Sequence, residues 1–474
     1  MKLKRLIIPI LFTALILTLI TPTTIASPEP SWSPNIRLTN HAGPDSISIL
    51  GSAFALDSDN RIHAVAYYGG QIYHIYDNNG YINETVIAQV QAQPQASQEY
   101  DASPVIVIDN SGIMHVAYYS FDGNDYEIYY THSTTTGGFI TPVQITDNLV
   151  SDGYPKIAVD SGGVVHIIYQ TAELIGGVGP TKIVLRYQHS TSTGFTAPVN
   201  ITCPAYPNMA IGQDILVDKN DNVHITFVAV DGFNPLFNHT VIAYTNNTNG
   251  SFSNYDIVDK TYQDFNPSMA VDDNLTVHLV FKGNGSIYSG GIRYQYLYYV
   301  NNTGGVFNDS TAIKISSVSF AHSPRVALSP NNTLNIVFYG WNSTWPLNYT
   351  RVMYIQGVNG TFSQEYLIPG QELDQYLPSL RISTDNQIHI VYIYGDSTTR
   401  NTDIFYVTTS SYYPVGVPEP ESQEFLFLII GVIGIVAGVI IVVLLFKKFK
   451  SLEKQVWKPR LEDEGEDDKI KGET

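Results

Sequence analysis

From Tyr154 to Tyr169 the chain reads YPKIAVDSGGVVHIIY, two short runs of alternating apolar and polar positions around a turn of Asp, Ser and Gly. Successive side chains of a strand point to opposite faces, so this alternation predicts two half-buried strands joined as a hairpin. The pattern recurs six more times, as GSAFALDSDNRIHAVAYY, SPVIVIDNSGIMHVAYY, GQDILVDKNDNVHITF, NPSMAVDDNLTVHLVF, SPRVALSPNNTLNIVF and LPSLRISTDNQIHIVY. Its anchors are Asp57, Asp109, Asp160, Asp218, Asp272, Ser329 and Ser383, at spacings of 52, 51, 58, 54, 57 and 54. Six residues past each anchor stands His63, His115, His166, His224, His278, Asn335 or His389. Five copies carry a Pro five residues before the anchor: Pro104, Pro155, Pro267, Pro324 and Pro378.

A third apolar stretch follows each hairpin, such as EIYYTHS from Glu127, then a Gly-containing turn and a fourth, such as FITPVQIT from Phe139. Four short strands per unit of about 50 residues predict propeller blades, which bury their faces only by stacking in a ring. The seventh copy lacks a fourth strand, while SPNIRLT at 33–39 has the fourth-strand pattern. The expected fold is therefore all-β: a seven-bladed β-propeller over 33–409, closed by an N-terminal strand, with no open edge left for aggregation.

The chain over Ser33 to Thr409 resembles a sialidase-like propeller of the BNR-repeat kind. That family's Asp-box reads S-x-D-x-G-x-T-W. Here the form is D-x-x-G/N-x-x-H, with Gly112 and Gly163 one place later. The resemblance implies a site with three arginines on a carboxylate, a Tyr nucleophile assisted by Glu, and an Asp acid. Arginines are present (Arg37, Arg61, Arg186, Arg293, Arg325, Arg351, Arg381, Arg400), but no arginine motif opens the first blade, and Arg61 falls in a hairpin turn. Fold resemblance does not carry activity.

The ends read differently. Lys2, Lys4 and Arg5 precede an apolar run and a small-residue stretch, a signal peptide over 1–27. A Pro- and Glu-rich linker, 410–424, leads to an uncharged run, 425–446, long enough for one transmembrane helix. Lys447, Lys448 and Lys450 follow, so the charged tail, 447–474, is expected in the cytoplasm and the propeller outside a cell membrane crossed once.

Between residues 28 and 446 there are 14 Lys and Arg against 35 Asp and Glu, a net of −21, which argues against nucleic acid as a partner. Cys203 is the single cysteine, so no disulfide framework holds this chain. Glycosylation acceptors are expected among Asn83, Asn200, Asn238, Asn246, Asn249, Asn274, Asn284, Asn301, Asn308, Asn331, Asn342, Asn348 and Asn359.

The repeated Asp and His lie one pair per blade, too dispersed for a catalytic or metal centre. They are expected to shape hairpin turns, Asp by bonding N–H groups and Gly or Asn by taking positive φ, with His bonded to backbone. Long loops after the second strands and between blades share the opposite face, and function concentrates on such loops. Candidate ligand residues there are the aromatics Trp341, Trp345, Phe233 and Phe237, and Asp101, Asp152 and Asp264, each eight before an anchor. No catalytic residue and no cofactor is expected. The acids leave room for a cation such as calcium. The expected function is a surface-anchored module binding an extracellular glycan or protein. The alternatives are a sialidase-like glycoside hydrolase and a purely structural cell-envelope protein.

Overall fold

The structure is a computed structural model and describes residues 29–41, 45–46, 51–91, 102–174, 181–230, 240–259, 265–287, 293–303, 305–308, 311–341, 349–370, 373–396 and 401–411. The leader, the apolar segment 425–446, the tail and nearly all of the linker lie outside them, as do Asp101, Asp264, Phe233, Phe237, Trp345, Asn238, Asn342 and Asn348. Among the described residues no helix is long and apolar enough to cross a membrane.

The strands form seven four-stranded antiparallel units. Blades 1 to 6 span 54–89, 105–144, 152–201, 209–259, 265–314 and 320–367, each a meander in chain order. Blade 7 takes three strands from 374–408 and its outer strand from the start of the chain. Ile36–Arg37 pairs antiparallel with Asn401–Thr408, Ile36 opposite Tyr406. Ser33 N–H donates to the Thr408 carbonyl at 2.7 Å, and Arg37 meets Asp403 at 2.6 Å. The closing strand expected at 33–39 is in place.

No single sheet closes on itself; packing closes the ring. Seven apolar clusters lie between successive blades, and the last joins Val391, Ile404 and Tyr406 of blade 7 to Phe54, Ile62 and Ala64 of blade 1. The inner strands also touch one another around the whole circuit.

The hairpin turns follow the sequence pattern. Asp109 Oδ1 accepts the N–H of Ser111 at 2.8 Å and of Ile113 at 2.9 Å, and Asp57, Asp160, Asp218 and Asp272 do likewise. Three residues past the anchor the backbone is left-handed in all seven blades: Asn60, Gly112, Gly163, Asp221, Leu275, Asn332 and Asn386. Gly and Asn serve most of these positions, but Asp221 and Leu275 hold the same conformation, so the ring enforces it beyond residue preference.

A second left-handed position recurs six before the anchor: Gly51, Ser103, Tyr154, Gly212, Asn266, Ser323 and Leu377, with φ between 42° and 79°. Five of these precede Pro, which ordinarily drives its predecessor to extended backbone. In blades 3 to 7 the ladder between inner and second strands slips here, as between Gly153 and Lys156. Each such bulge re-aims the next side chains toward the following blade.

Candidate functional site

The repeated His does not bond to backbone, as the sequence suggested; its partner is a tyrosine of the third strand. His115 Nδ1 lies 2.6 Å from Tyr130 Oη, with the same contact at 2.8 Å for His166 and Tyr187 and 2.7 Å for His224 and Tyr244, His278 and Tyr299, and His389 and Tyr406. Where the anchor is Asp the other ring nitrogen faces its carboxylate, at 3.1 Å for His224 and Asp218, whereas in blade 7 the anchor is Ser383 and His389 Nε2 is buried without a hydrogen bond. Blade 6 fixes the polarity. Asn335 donates from Nδ2 to Ser329 and accepts at Oδ1 from Tyr354 Oη. By analogy the histidines carry their proton on Nε2 and accept from tyrosine at Nδ1. Asn246 Nδ2, donating to Tyr244 Oη at 3.1 Å, leaves that hydroxyl to donate to His224. Burial pushes His115, His166, His224 and His278 below the usual histidine range, and His389 down to about 4. These neutral, enclosed ladders are structural.

The opposite face holds the candidate site, between blades 2 and 3. Tyr154 is the one aromatic among the seven strained residues before the anchors, and its φ is +53°. It is 36% exposed, the most open of the site's aromatic rings, and leans on Tyr119 with centroids 5.4 Å apart. Gly153 lies directly beneath the Tyr119 ring. Tyr119, Tyr126, Asp152, Tyr154 and Gln170 line a cavity of about 280 Å³. A second, of about 880 Å³, is lined by Leu149, Tyr169, Glu173, Arg186 and Gln188, with Arg186 Nη2 on Glu173 at 2.6 Å. An exposed ring held by strained backbone offers a flat apolar face, the kind of surface on which a planar or sugar ring stacks.

Asp152, expected as a ligand residue, is buried and turned sideways. It accepts from Thr171 Oγ1 at 2.5 Å and from Asn148 Nδ2 at 2.7 Å. Beside it Glu127, fully buried, accepts from the Thr146 hydroxyl and from Asn148 N–H. Burial is the main cause that pushes Glu127 up to about 7 and Asp152 above the usual carboxylate range. Together they staple the link into blade 3. Asp122, Glu127 and Asp147 bring carboxylate oxygens within 4.8 Å of one another, the hard-oxygen set that calcium prefers.

Trp341 is not a loop residue: it ends the second strand of blade 6, Leu334–Trp341, and stacks on Phe320 at 4.9 Å. Of the acceptor asparagines, Asn200, Asn249, Asn274, Asn308, Asn331 and Asn359 are exposed, whereas the Asn246 and Asn301 amides are bonded to ladder tyrosines. The site's Tyr119, Tyr126, Tyr154 and Glu127 were not singled out from sequence. The available signal was Tyr154 itself, a large ring where the other copies carry Gly, Ser, Asn or Leu.

No protein-family model matches the chain, and no curated protein matches it in sequence. Solved structures do match in fold. A crystal structure of polysaccharide lyase Uly1 aligns with a TM-score of 0.53 at 12% identity, over 78% of this chain and 91% of that one. A PL25 ulvan lyase bound to -[GlcA(1-4)Rha3S]- aligns with a TM-score of 0.54 at 10% identity, over 79% and 95%. The Hadza microbial sialidase Hz136 is similar more weakly, with a TM-score of 0.40 at 13% identity over 72% of this chain and 74% of its own. At such identities the likeness establishes the fold class, a β-propeller, and nothing about activity.

Proposed function

We propose that this protein is a carbohydrate-binding propeller displayed outside the cell, and that it takes a polysaccharide along the groove between blades 2 and 3. The observation that carries this is Tyr154, an exposed aromatic held in a strained conformation over a cavity with polar groups at its wall. The fold-level neighbours that act on polysaccharides point to the same ligand class, and the apolar run 425–446 supplies the anchor. A glycan-array screen of the purified protein against its Tyr154→Ala variant tests it. Binding that the variant retains in full would remove the groove from consideration.

Cleavage is the second reading, favoured by one observation: Glu127 is held at about 7, where a general acid should titrate. Against it, Glu127 and Asp152 are covered and already committed to Thr146, Asn148 and Thr171. Incubation with uronate-containing polysaccharides, read as new reducing ends lost in Glu127→Gln, would establish cleavage instead.

A further inference from the structure

The groove between blades 2 and 3 carries an excess of one charge. Its two cavities adjoin at Val150 and Ser151. Among the described residues Arg186 is the one cation that lines either cavity; Lys182, opposite Glu173 in the strand ladder, lines neither. Arg186 is already engaged, because its Nη2 donates to Glu173 Oε1 at 2.6 Å. The Glu173 side chain is 34% exposed against 24% for Arg186, so the anionic half of the pair is the more open to a ligand.

Two more carboxylates stand on or beside that wall. Asp147 is exposed and lines the larger cavity. A carboxylate oxygen of Asp122 lies within 4.8 Å of one of Asp147. Asp122 accepts the N–H of Asn124 at 2.7 Å and of Asp125 at 3.1 Å, and these bonds hold its carboxyl below the usual carboxylate range. The amides of the groove are engaged as well: Gln188 donates to the Thr196 carbonyl at 2.5 Å, and Gln170 donates to Gln213 at 2.8 Å. A ligand anion entering here would exchange water for a wall of like charge. In a cleft with low-dielectric walls that repulsion is focused rather than dispersed.

We propose that this groove selects uncharged polysaccharides and rejects those bearing uronate or sulfate groups, with Glu173 and Asp147 as the residues that set the selection. The inference rests on the polysaccharide reading above and goes past it by fixing the charge of the ligand. Glu173 acts twice. Its own carboxylate faces the groove, and it occupies the guanidinium that would otherwise receive an acidic sugar. Specificity of this kind comes from a repulsive element rather than from an added contact. Removing the Glu173 charge leaves Arg186 without its counter-charge and turns the same wall toward anions.

The test uses the purified full-length protein on an array of neutral, uronate-bearing and sulfated glycans, at about 20 mM and about 300 mM salt. Neutral glycans should be held about tenfold more tightly than anionic ones at low salt, and the gap should narrow at high salt as charge is screened. Glu173→Gln should raise retention of uronate glycans about fivefold and leave neutral ones within about twofold, a split that a merely structural role would not produce. Asp147→Asn should act in the same direction, and its exposed position keeps the test open if Glu173→Gln does not fold. Uronate glycans held as tightly as neutral ones, or a preference that neither salt nor either variant changes, overturns the charge selection and leaves the groove in place. Retention of no glycan, or retention that Tyr154→Ala keeps in full, removes the groove reading and the selection with it.

Discussion

Trp32 meets the ring of Tyr354 edge-on, with centroids 5.6 Å apart and planes at 80°. The same relation recurs between blades: Phe195 on Tyr130, Phe252 on Tyr187, Phe307 on Tyr244 and Phe362 on Tyr299, at 4.9 to 5.2 Å. In each, the turn before a blade's outer strand sends an aromatic onto the ladder tyrosine of the preceding blade. In blade 7 that residue comes from the start of the chain. Trp32 therefore completes the repeat together with the closing strand.

Trp32→Ala should lower stability by about 2 kcal/mol, the loss of a large partly buried ring and its edge-on contact. Deleting 33–39 should do more, exposing the edge of Asn401–Thr408 and driving aggregation. Thermal melts and light scattering check both; an unchanged melt in the deletion would remove the closing role from this strand.

The ladder polarity makes a pairwise claim. Asn335→His alone should destabilise blade 6, because Ser329 is too short to reach Nε2. Adding Ser329→Asp should recover about 1 kcal/mol, a coupling that a double-mutant cycle in urea reads directly. Additive effects would mean that the two positions act separately.

Acid should unfold this protein through its histidines. A histidine with its folded pKa depressed leaves fewer protons on the native state, so stability is full above the unfolded value near 6.5. It is lost as pH falls toward the folded values, about 4 for His322 and His389 and about 3 for His74. Tm should hold above pH 7 and decline steadily below pH 6.

Glu127 works in the opposite direction. Its folded pKa is raised to about 7, so its contribution is present below the unfolded value near 4.5 and lost as pH rises through 7. Glu127→Gln, a mimic of the protonated form, should raise Tm at pH 8 and leave it unchanged at pH 4. The reverse pH dependence would show that the carboxylate is ionised in its staple.

At Tyr154, binding and stability should separate. Tyr154→Gly relaxes a left-handed residue that costs about 1 kcal/mol, so Tm should hold or rise while glycan affinity falls about tenfold. Trp341→Ala should behave otherwise, lowering Tm because its ring packs on Phe320. A lower Tm for Tyr154→Gly would make that ring part of the core.

The ring was legible because one rule repeats: each anchor from Asp57 to Ser383 sets a turn by local hydrogen bonds, visible in any single copy. The ladder tyrosine was not. EIYYTHS holds two adjacent tyrosines, and only the register that sets His115 opposite His132 selects Tyr130. The groove was hidden for a different reason. Tyr119, Tyr126 and Tyr154 meet across a seam between blades, which no pattern within a repeat encodes. Trp341 misled because its loop-like neighbours disguised the last residue of a strand.

The left-handed residue six before each anchor keeps seven backbone frames alike while the residue two beyond it changes from blade to blade: Ala53, Val105, Lys156, Asp214, Ser268, Arg325 and Ser379. Scaffold and content are thereby uncoupled. Single substitutions at these sites can rewrite the interior from apolar to charged while the turns, ladders and aromatic latches that build the ring stay untouched.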